Sequence, residues 1–157
     1  MLTHRDLVKM IRSAWEDARP PDSRNISMPT HDDEGVSEYF TGKTWDGHTA
    51  CQLRVLDFAP NVFTNEAFAY YLPAYLIADI EDPEESDTNM ERVLYWLSQE
   101  NRLFSENRGP SVIARLSQLQ RSALCEYIVF VHERERGLYD EACATIMRHL
   151  ADASRHV

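Results

Sequence analysis

His48 and Cys51 come closest to a reactive site by residue type and spacing, because they stand three positions apart. On a helix, that spacing would let an imidazole and a thiolate bind one metal ion, or place a nucleophile beside a base. Two ligands do not complete a zinc site, and no third ligand follows nearby in the sequence. No carboxylate is evident to orient the imidazole of a catalytic pair. We therefore expect neither a metal site nor a catalytic pair at these positions.

Carboxylates are the next candidates for chemistry. Glu66 and Asp79 lie at the two ends of an apolar run, and acid–base catalysis would require a pocket that brings them together. Helix capping explains Glu66 without such a pocket. The run from His31 to Glu34 lacks the ligand spacing and the turn glycine of a calcium loop. We interpret it as the charged start of a helix.

Sequence motifs for the common enzyme classes are missing from the chain. It contains no phosphate-binding glycine loop, no Gly-x-Ser-x-Gly elbow and no dinucleotide fingerprint. These absences favour a protein that is not an enzyme and uses no cofactor. The other histidines lie at element ends or on polar faces, where we expect them to be solvated: His4, His31, His132, His149 and His156.

Three tyrosines in one aromatic run leave two interpretations open. Tyr70, Tyr71 and Tyr75 cannot all face one core from their positions on a helix, so at least one hydroxyl must reach the surface or a buried partner. In one interpretation the hydroxyls bond to backbone carbonyls inside the core. In the other they line a small-molecule or catalytic pocket, with polar contacts from His48, Cys51 or Glu66.

The aromatic run also carries a resemblance, through Phe63-Thr64, Glu66-Ala67-Phe68 and the stretch Tyr70-Tyr71-Leu72-Pro73-Ala74-Tyr75-Leu76. Upstream lies Gly42-Lys43-Thr44-Trp45, and downstream lies Leu116-Ser117-Gln118-Leu119-Gln120. Together these elements resemble an uncharacterised bacterial family of small helical proteins, a domain of unknown function, over residues 31–133. The resemblance implies a bacterial origin and a helical fold. The family has no assigned reaction, so the resemblance names no catalytic residue.

The elements that must position these residues are predicted to be helices. Thr64 or Asn65 is expected to cap a central helix that lacks a polar face. Pro73 has no N–H, and its ring crowds the carbonyl of Ala69 four residues back. We therefore expect a kink, or two abutting helices over 65–72 and 74–80.

Apolar periodicity and capping signals predict further helices on both sides of the central one. Five glycines in 157 residues argue against a turn-rich β fold. The prediction is an all-α single domain over residues 1–157, a bundle of six or seven helices with a proline-kinked central helix. Its other helices are expected over 3–18, 32–40, 48–56, 88–97, 117–133 and 138–153. A loop is expected over 19–31, an acidic loop over 81–87, and a break in helical structure at 108–110. Residues 53–56 could instead be extended.

Charge is concentrated in one part of the chain. The formal net charge is −10, and residues 31–91 carry 14 acidic side chains against only Lys43 and Arg54. Such a field repels nucleic acid and anionic membranes and speeds encounter with a basic partner, although it could also serve only for solubility. The expected partner-binding face consists of Asp32, Asp33, Glu34, Glu81, Asp82, Glu84, Glu85 and Asp87.

The favoured function is therefore a non-enzymatic protein-binding module, specifically an immunity or antitoxin-like protein that neutralises a basic toxin or effector. The alternatives are the tyrosine-lined pocket at Pro73 and a structural subunit that self-associates through the central run. Three widely spaced cysteines without a Cys-x-x-Cys pair predict reduced thiols, with Cys125 and Cys143 in the core. The longest apolar run, of about 12 residues, is too short to span a bilayer, and no signal-peptide pattern is present, so we expect a cytoplasmic protein. The sequence gives no oligomeric state.

Overall fold

The computed structural model describes residues 2–29, 32–99 and 108–155. Within these residues the chain forms ten α-helices, one 3-10 turn at Ser23–Asn25 and no strand, which confirms the all-α prediction. The helices are α1 (His4–Trp15), α2 (Val36–Phe40), α3 (Ala50–Val55), α4 (Ala59–Val62), α5 (Asn65–Glu81), α6 (Pro83–Ser86), α7 (Thr88–Leu97), α8 (Arg108–Arg115), α9 (Gln118–Arg134) and α10 (Asp140–Arg155). None of the described helices combines the length and the apolar character that crossing a bilayer requires.

The chain divides into two compact units. One comprises Trp15–Val93 and is called here the α5 unit; the other comprises Met1–Ala14 with Leu94–Val157 and is called the α9 unit. In the α5 unit, α6 packs against both α3 and α5. In the α9 unit, α10 packs against α8 and α9.

Helix α5 is the buried centre of its unit. Every residue from Ala67 to Ile80 is buried, as expected for a helix without a polar face. The Thr64 side chain caps it by accepting a hydrogen bond from the Ala67 N–H. The helix passes through Pro73 without interruption, so it does not split into two abutting helices.

Trp15 explains how α5 tolerates a proline. Pro73 cannot donate to the Ala69 carbonyl, which would otherwise lack its helical partner. The indole Nε1–H of Trp15 donates to that carbonyl at 3.0 Å. The backbone acceptor released by the proline is therefore satisfied inside the core, and the helix continues to Glu81.

Short helices account for the difference between ten helices and the six or seven predicted. The acidic loop contains α6, which Asp82 caps and Pro83 begins, because proline fits the first helical position. The expected break at 108–110 is instead the start of α8, where Pro110 lies in the first turn. Residues 53–55 belong to α3, so the extended alternative is wrong there.

Capping signals located several other helix starts. Ser117 and Gln120 form a capping box at the start of α9. Helix α3 begins with a capping box of Thr49 and Gln52. Gly109 was not recognised as a packing residue, yet a Cβ there would lie 2.3 Å from the Leu97 carbonyl oxygen. Glycine at this position therefore permits the close approach of α8 to the end of α7.

Candidate functional site

His48 is held by two internal hydrogen bonds. Its Nε2 lies 2.7 Å from the Thr44 carbonyl oxygen, which can only accept, so Nε2 carries the proton. Its Nδ1 lies 2.7 Å from the Tyr39 hydroxyl, which then donates to it. Burial lowers the pKa of His48, which favours this neutral form. Both ring nitrogens are thus occupied, and neither is available to a metal ion or to a thiol.

Cys51 and Glu66 are not the hydrogen-bond partners of the His48 ring, whose two nitrogens bond to Tyr39 and Thr44. The Cys51 thiol is free and exposed on α3. Glu66, in the first turn of α5, accepts a hydrogen bond from the Asn25 side chain. Within the part of the chain that the structure describes, no group of three or more histidine, cysteine, aspartate or glutamate side chains could hold a metal ion.

Tyr70 and Tyr71 both bond to the backbone, but only Tyr71 bonds to carbonyls, as the core interpretation expects. The Tyr71 hydroxyl lies 2.8 Å from the Lys43 carbonyl oxygen and 3.1 Å from that of Phe40, and burial raises its pKa to about 12. The Tyr70 hydroxyl accepts from the Trp45 N–H at 3.3 Å, and burial raises its pKa as well. Both phenols therefore stay protonated at neutral pH and fix the segment that carries Trp45.

Tyr75 differs from the other two tyrosines. Its side chain is 4% exposed, and its hydroxyl is buried with no hydrogen-bond partner among the described residues. Burial strongly raises its pKa, so the phenol is neutral. The ring borders an apolar void too small to hold a water molecule, lined also by Pro60, Phe63, Phe68, Leu72 and Val93. The six residues proposed to line a pocket at Pro73 do not line this void together, because only Tyr75 reaches it.

A buried relay of two tryptophans was not predicted from the sequence. Trp15 donates through its indole to Ala69, and the indole Nε1–H of Trp45 donates to the Trp15 carbonyl at 3.0 Å. The Trp45 backbone N–H in turn donates to the Tyr70 hydroxyl. Pro73 was the available signal, since a proline inside a buried helix requires another donor for the carbonyl that it leaves free.

The first group of predicted acidic residues serves the turn before α2. Asp33 accepts hydrogen bonds from the Ser37 N–H and hydroxyl, from the Ser27 hydroxyl and from the Gly35 N–H. The Ser37 bonds are the largest cause that lowers the Asp33 pKa to about 2. Asp32 accepts from the Glu34 N–H and is exposed, as is Glu34. His31 lies outside the described residues.

The second group forms a surface at the end of α5. We define the α6 acidic patch as Glu81, Asp82, Glu84, Glu85 and Asp87. Arg54 of α3 lies 3.6 Å from a Glu85 oxygen and 3.7 Å from an Asp87 oxygen, all three side chains being about half exposed. The Asp82 side chain accepts from the Glu85 N–H. Glu81 and Glu84 are exposed, and neither forms an ion pair within residues 2–29, 32–99 and 108–155.

The two acidic groups lie near opposite ends of α5. Asp33 bonds to Ser27, and Ser27 forms a β-bridge with Phe63, two residues before α5 begins. The α6 acidic patch begins at Glu81, where α5 ends. A helix of 17 residues is about 25 Å long, so the eight side chains do not form one continuous cluster.

The buried histidine of α10 corrects another expectation. His149 is buried, and its Nδ1 lies 3.1 Å from the Leu97 carbonyl oxygen, so it is not solvated. Cys143 is buried and Cys125 half-buried; both thiols are free, and burial raises the pKa of each. Cys143 behaves as a small core side chain, as predicted, whereas Cys125 lies at the edge of the core and lines a cleft between α9 and α10.

Comparison with known proteins identifies the family alone. The chain belongs to a family described as a family of unknown function (DUF6714), whose model matches residues 3–151. The expectation of an uncharacterised domain family is thereby confirmed, over a longer range than the residues that suggested it. No curated protein and no solved structure matches the chain.

Proposed function

We propose that this protein is a non-enzymatic binding module that uses the α6 acidic patch to bind a basic protein, and that it neutralises a basic toxin or effector as an immunity protein or antitoxin does. The observation that carries this proposal is the charge of the patch. Five carboxylates lie within seven residues, and Arg54 is the one cation paired with them in the described part of the chain.

The patch is suited to recognition because its backbone is fixed. Asp82 caps α6, Arg54 ties Glu85 and Asp87 to α3, and α6 packs against both α3 and α5. Glu81 and Glu84 are then left with their carboxylates in solvent. A partner would pair with charges that are already positioned, which reduces the entropy that binding must overcome.

The chemistry of carboxylates indicates the partner class. A cluster of negative charge raises the rate of encounter with a basic surface and suppresses encounter with acidic partners. Arginine and lysine side chains that bind phosphates also bind carboxylates, often through paired hydrogen bonds. A basic protein that acts on phosphate-bearing substrates is therefore a partner that this surface could occupy and block.

The two alternatives receive less support from the geometry. The imidazole of His48 and the hydroxyls of Tyr70 and Tyr71 are engaged inside the protein, so a pocket would have to break those bonds to use them. Self-association through the central run requires its exposure, whereas residues 67–80 are buried.

The test uses the two patch residues that neither cap a helix nor pair with Arg54. Glu81→Gln with Glu84→Gln should leave the fold unchanged, because exposed substitutions shift stability by less than about 0.5 kcal/mol each. The matched control is Glu133→Gln with Glu141→Gln, two exposed acids in the α9 unit. Proteins captured from the source organism are identified by mass spectrometry, purified, and tested for binding and for growth inhibition that co-expression relieves.

Association rates measured at low and high salt then decide the outcome. We expect to find a basic partner. Its association rate should fall, by about tenfold or less, with the patch variant at low salt and with the wild type at high salt, and should change little with the control variant. A partner that associates equally fast with all three proteins would show that the patch is a solubilising surface. A basic partner with no growth-inhibiting activity would support the role as a binding module and contradict the role in neutralising a toxin.

A further inference from the structure

Arg121 is a buried cation without a partner in the described part of the chain. It lies near the start of α9 and is 8% exposed. Its Nε atom is buried without a hydrogen-bond partner, and among residues 2–29, 32–99 and 108–155 its guanidinium forms no ion pair. A guanidinium stays charged at every physiological pH, and burying such a charge unpaired is costly. A group from outside the chain could provide the missing negative charge.

A cleft gives such a group access to Arg121. It has a volume of about 330 Å³ and lies between α9 and α10, with Arg121 in its wall. We define the α9–α10 cleft by six of its lining residues, Gln118, Arg121, Ser122, Glu126, Met147 and Leu150. Its volume lies at the lower end of the range for small-molecule sites.

The lining indicates which kind of anion fits. Gln118 and Ser122 line the same cleft and offer hydrogen-bond donors, and the first turn of α9 adds the positive end of a helix dipole. Met147 and Leu150 supply an apolar wall. Glu126 lines the same cleft, and its negative charge opposes doubly charged anions such as phosphate or sulfate. A planar group with a single negative charge satisfies all of these features.

We propose that the α9–α10 cleft binds a small organic acid, with its carboxylate on the Arg121 guanidinium and its apolar part against Met147 and Leu150. A carboxylate matches the fork of a guanidinium through two parallel hydrogen bonds. The cleft belongs to the α9 unit and the α6 acidic patch to the α5 unit, so this site does not depend on the proposed protein partner.

Calorimetry with defined acids tests the proposal. Butyrate and benzoate are titrated into the full chain, with inorganic phosphate as the comparison anion. We expect saturable binding of at least one of the two acids, and binding of phosphate weaker by about tenfold or more. Arg121→Met keeps the length of the side chain and should weaken carboxylate binding by about tenfold or more. The matched control is Arg115→Met, an exposed arginine of α8, which should bind like the wild type.

Thermal unfolding separates a binding role from a structural one. Without ligand, Arg121→Met should be at least as stable as the wild type, because it removes an unpaired buried charge. The bound acid should then raise the melting temperature of the wild type and of Arg115→Met, but not that of Arg121→Met. Glu126→Gln should increase phosphate affinity relative to butyrate.

Three results would overturn the site. One is the absence of saturable binding by either acid. Another is an equal rise in melting temperature for the wild type and Arg121→Met. The third is an Arg121→Met protein that is clearly less stable without ligand, because that would make Arg121 a structural residue. Glu81→Gln with Glu84→Gln should bind the acids like the wild type, so failure of this site and failure of the partner proposal are distinguishable.

Discussion

Asp33 shows how one side chain of the acidic segment is used inside the fold. Four hydrogen bonds converge on its carboxylate, from Ser27, Gly35 and both donors of Ser37. They favour the charged form and bring its pKa to about 2. Because the folded pKa lies below the unfolded value, this carboxylate stabilises the protein above about pH 4, and the contribution is lost as the pH falls toward 2.

Asp33→Asn tests this contribution. The variant keeps one acceptor oxygen and loses the charge, so we expect it to be less stable at pH 7 by about 1–2 kcal/mol, solvent screening included. The deficit should shrink as the pH falls from about 4 to about 2, where the wild-type carboxylate becomes protonated. Urea unfolding at several pH values measures the difference.

A second variant identifies the source of the low pKa. Ser37→Ala removes the largest of its causes, so the Asp33 pKa in the folded protein should rise when followed by NMR titration. A deficit of Asp33→Asn that stays constant down to about pH 2 would contradict the assignment, because a structural loss alone has no such pH dependence.

At the scale of the element, α5 is continuous because its proline is compensated from outside the helix. The Ala69 carbonyl loses its helical donor to Pro73 and gains the indole of Trp15 at 3.0 Å. If this compensation is the reason for the continuity, the effects of substituting Trp15 and Pro73 must be coupled. Two isolated features would instead give additive effects.

A double-mutant cycle measures the coupling. Trp15→Phe leaves the Ala69 carbonyl unpaired and should cost about 1–3 kcal/mol of unfolding free energy beyond the loss of volume. Pro73→Ala in the wild-type background should give no gain in stability, because the carbonyl already has a partner. In the Trp15→Phe background, Pro73→Ala introduces a backbone N–H that can donate to the Ala69 carbonyl. The same substitution should there recover about 0.5 kcal/mol or more.

Trp45 provides the control for this cycle. It donates through the same kind of indole N–H to a carbonyl, that of Trp15, which the proline does not affect. Trp45→Phe and Pro73→Ala should therefore be additive within about 0.5 kcal/mol. Equal coupling in both cycles would show that the interaction is general repacking and that the Ala69 carbonyl is not its source.

Local chemistry explains which elements could be predicted from the sequence. The caps at Thr64 and at Ser117 involve residues three apart in the chain, so their pattern is visible without the fold. Helix α8 was missed because Arg108-Gly109-Pro110 has the composition of a turn. Its glycine is required by the approach of the Leu97 carbonyl, a contact between separate elements that no local pattern contains.

The candidate sites show the same limit at the scale of the whole molecule. The concentration of negative charge is visible in the sequence, but its division into two groups depends on where α5 begins and ends. The pairing of Arg54 with Glu85 and Asp87 is a tertiary contact. Arg121 occupies a position where an amphipathic pattern cannot distinguish a solvated cation from a buried one, so the α9–α10 cleft was not predicted.

The uneven charge of the chain leads to a final prediction about stability. A negative excess within residues 31–91 repels itself in the folded state, and salt screens that repulsion. The urea midpoint of the wild type should therefore rise with added sodium chloride. Glu81→Gln with Glu84→Gln removes two negative charges from this segment, so the midpoint of that variant should rise less over the same salt range.

The control, Glu133→Gln with Glu141→Gln, changes the net charge of the chain by the same amount. Its two substitutions lie in residues 92–157, which carry nearly balanced charge, so it should respond to salt like the wild type. Comparison among the three proteins cancels the general effect of salt on hydrophobic burial. An equal salt response in all of them would contradict the idea that charge repulsion is concentrated at the α6 acidic patch.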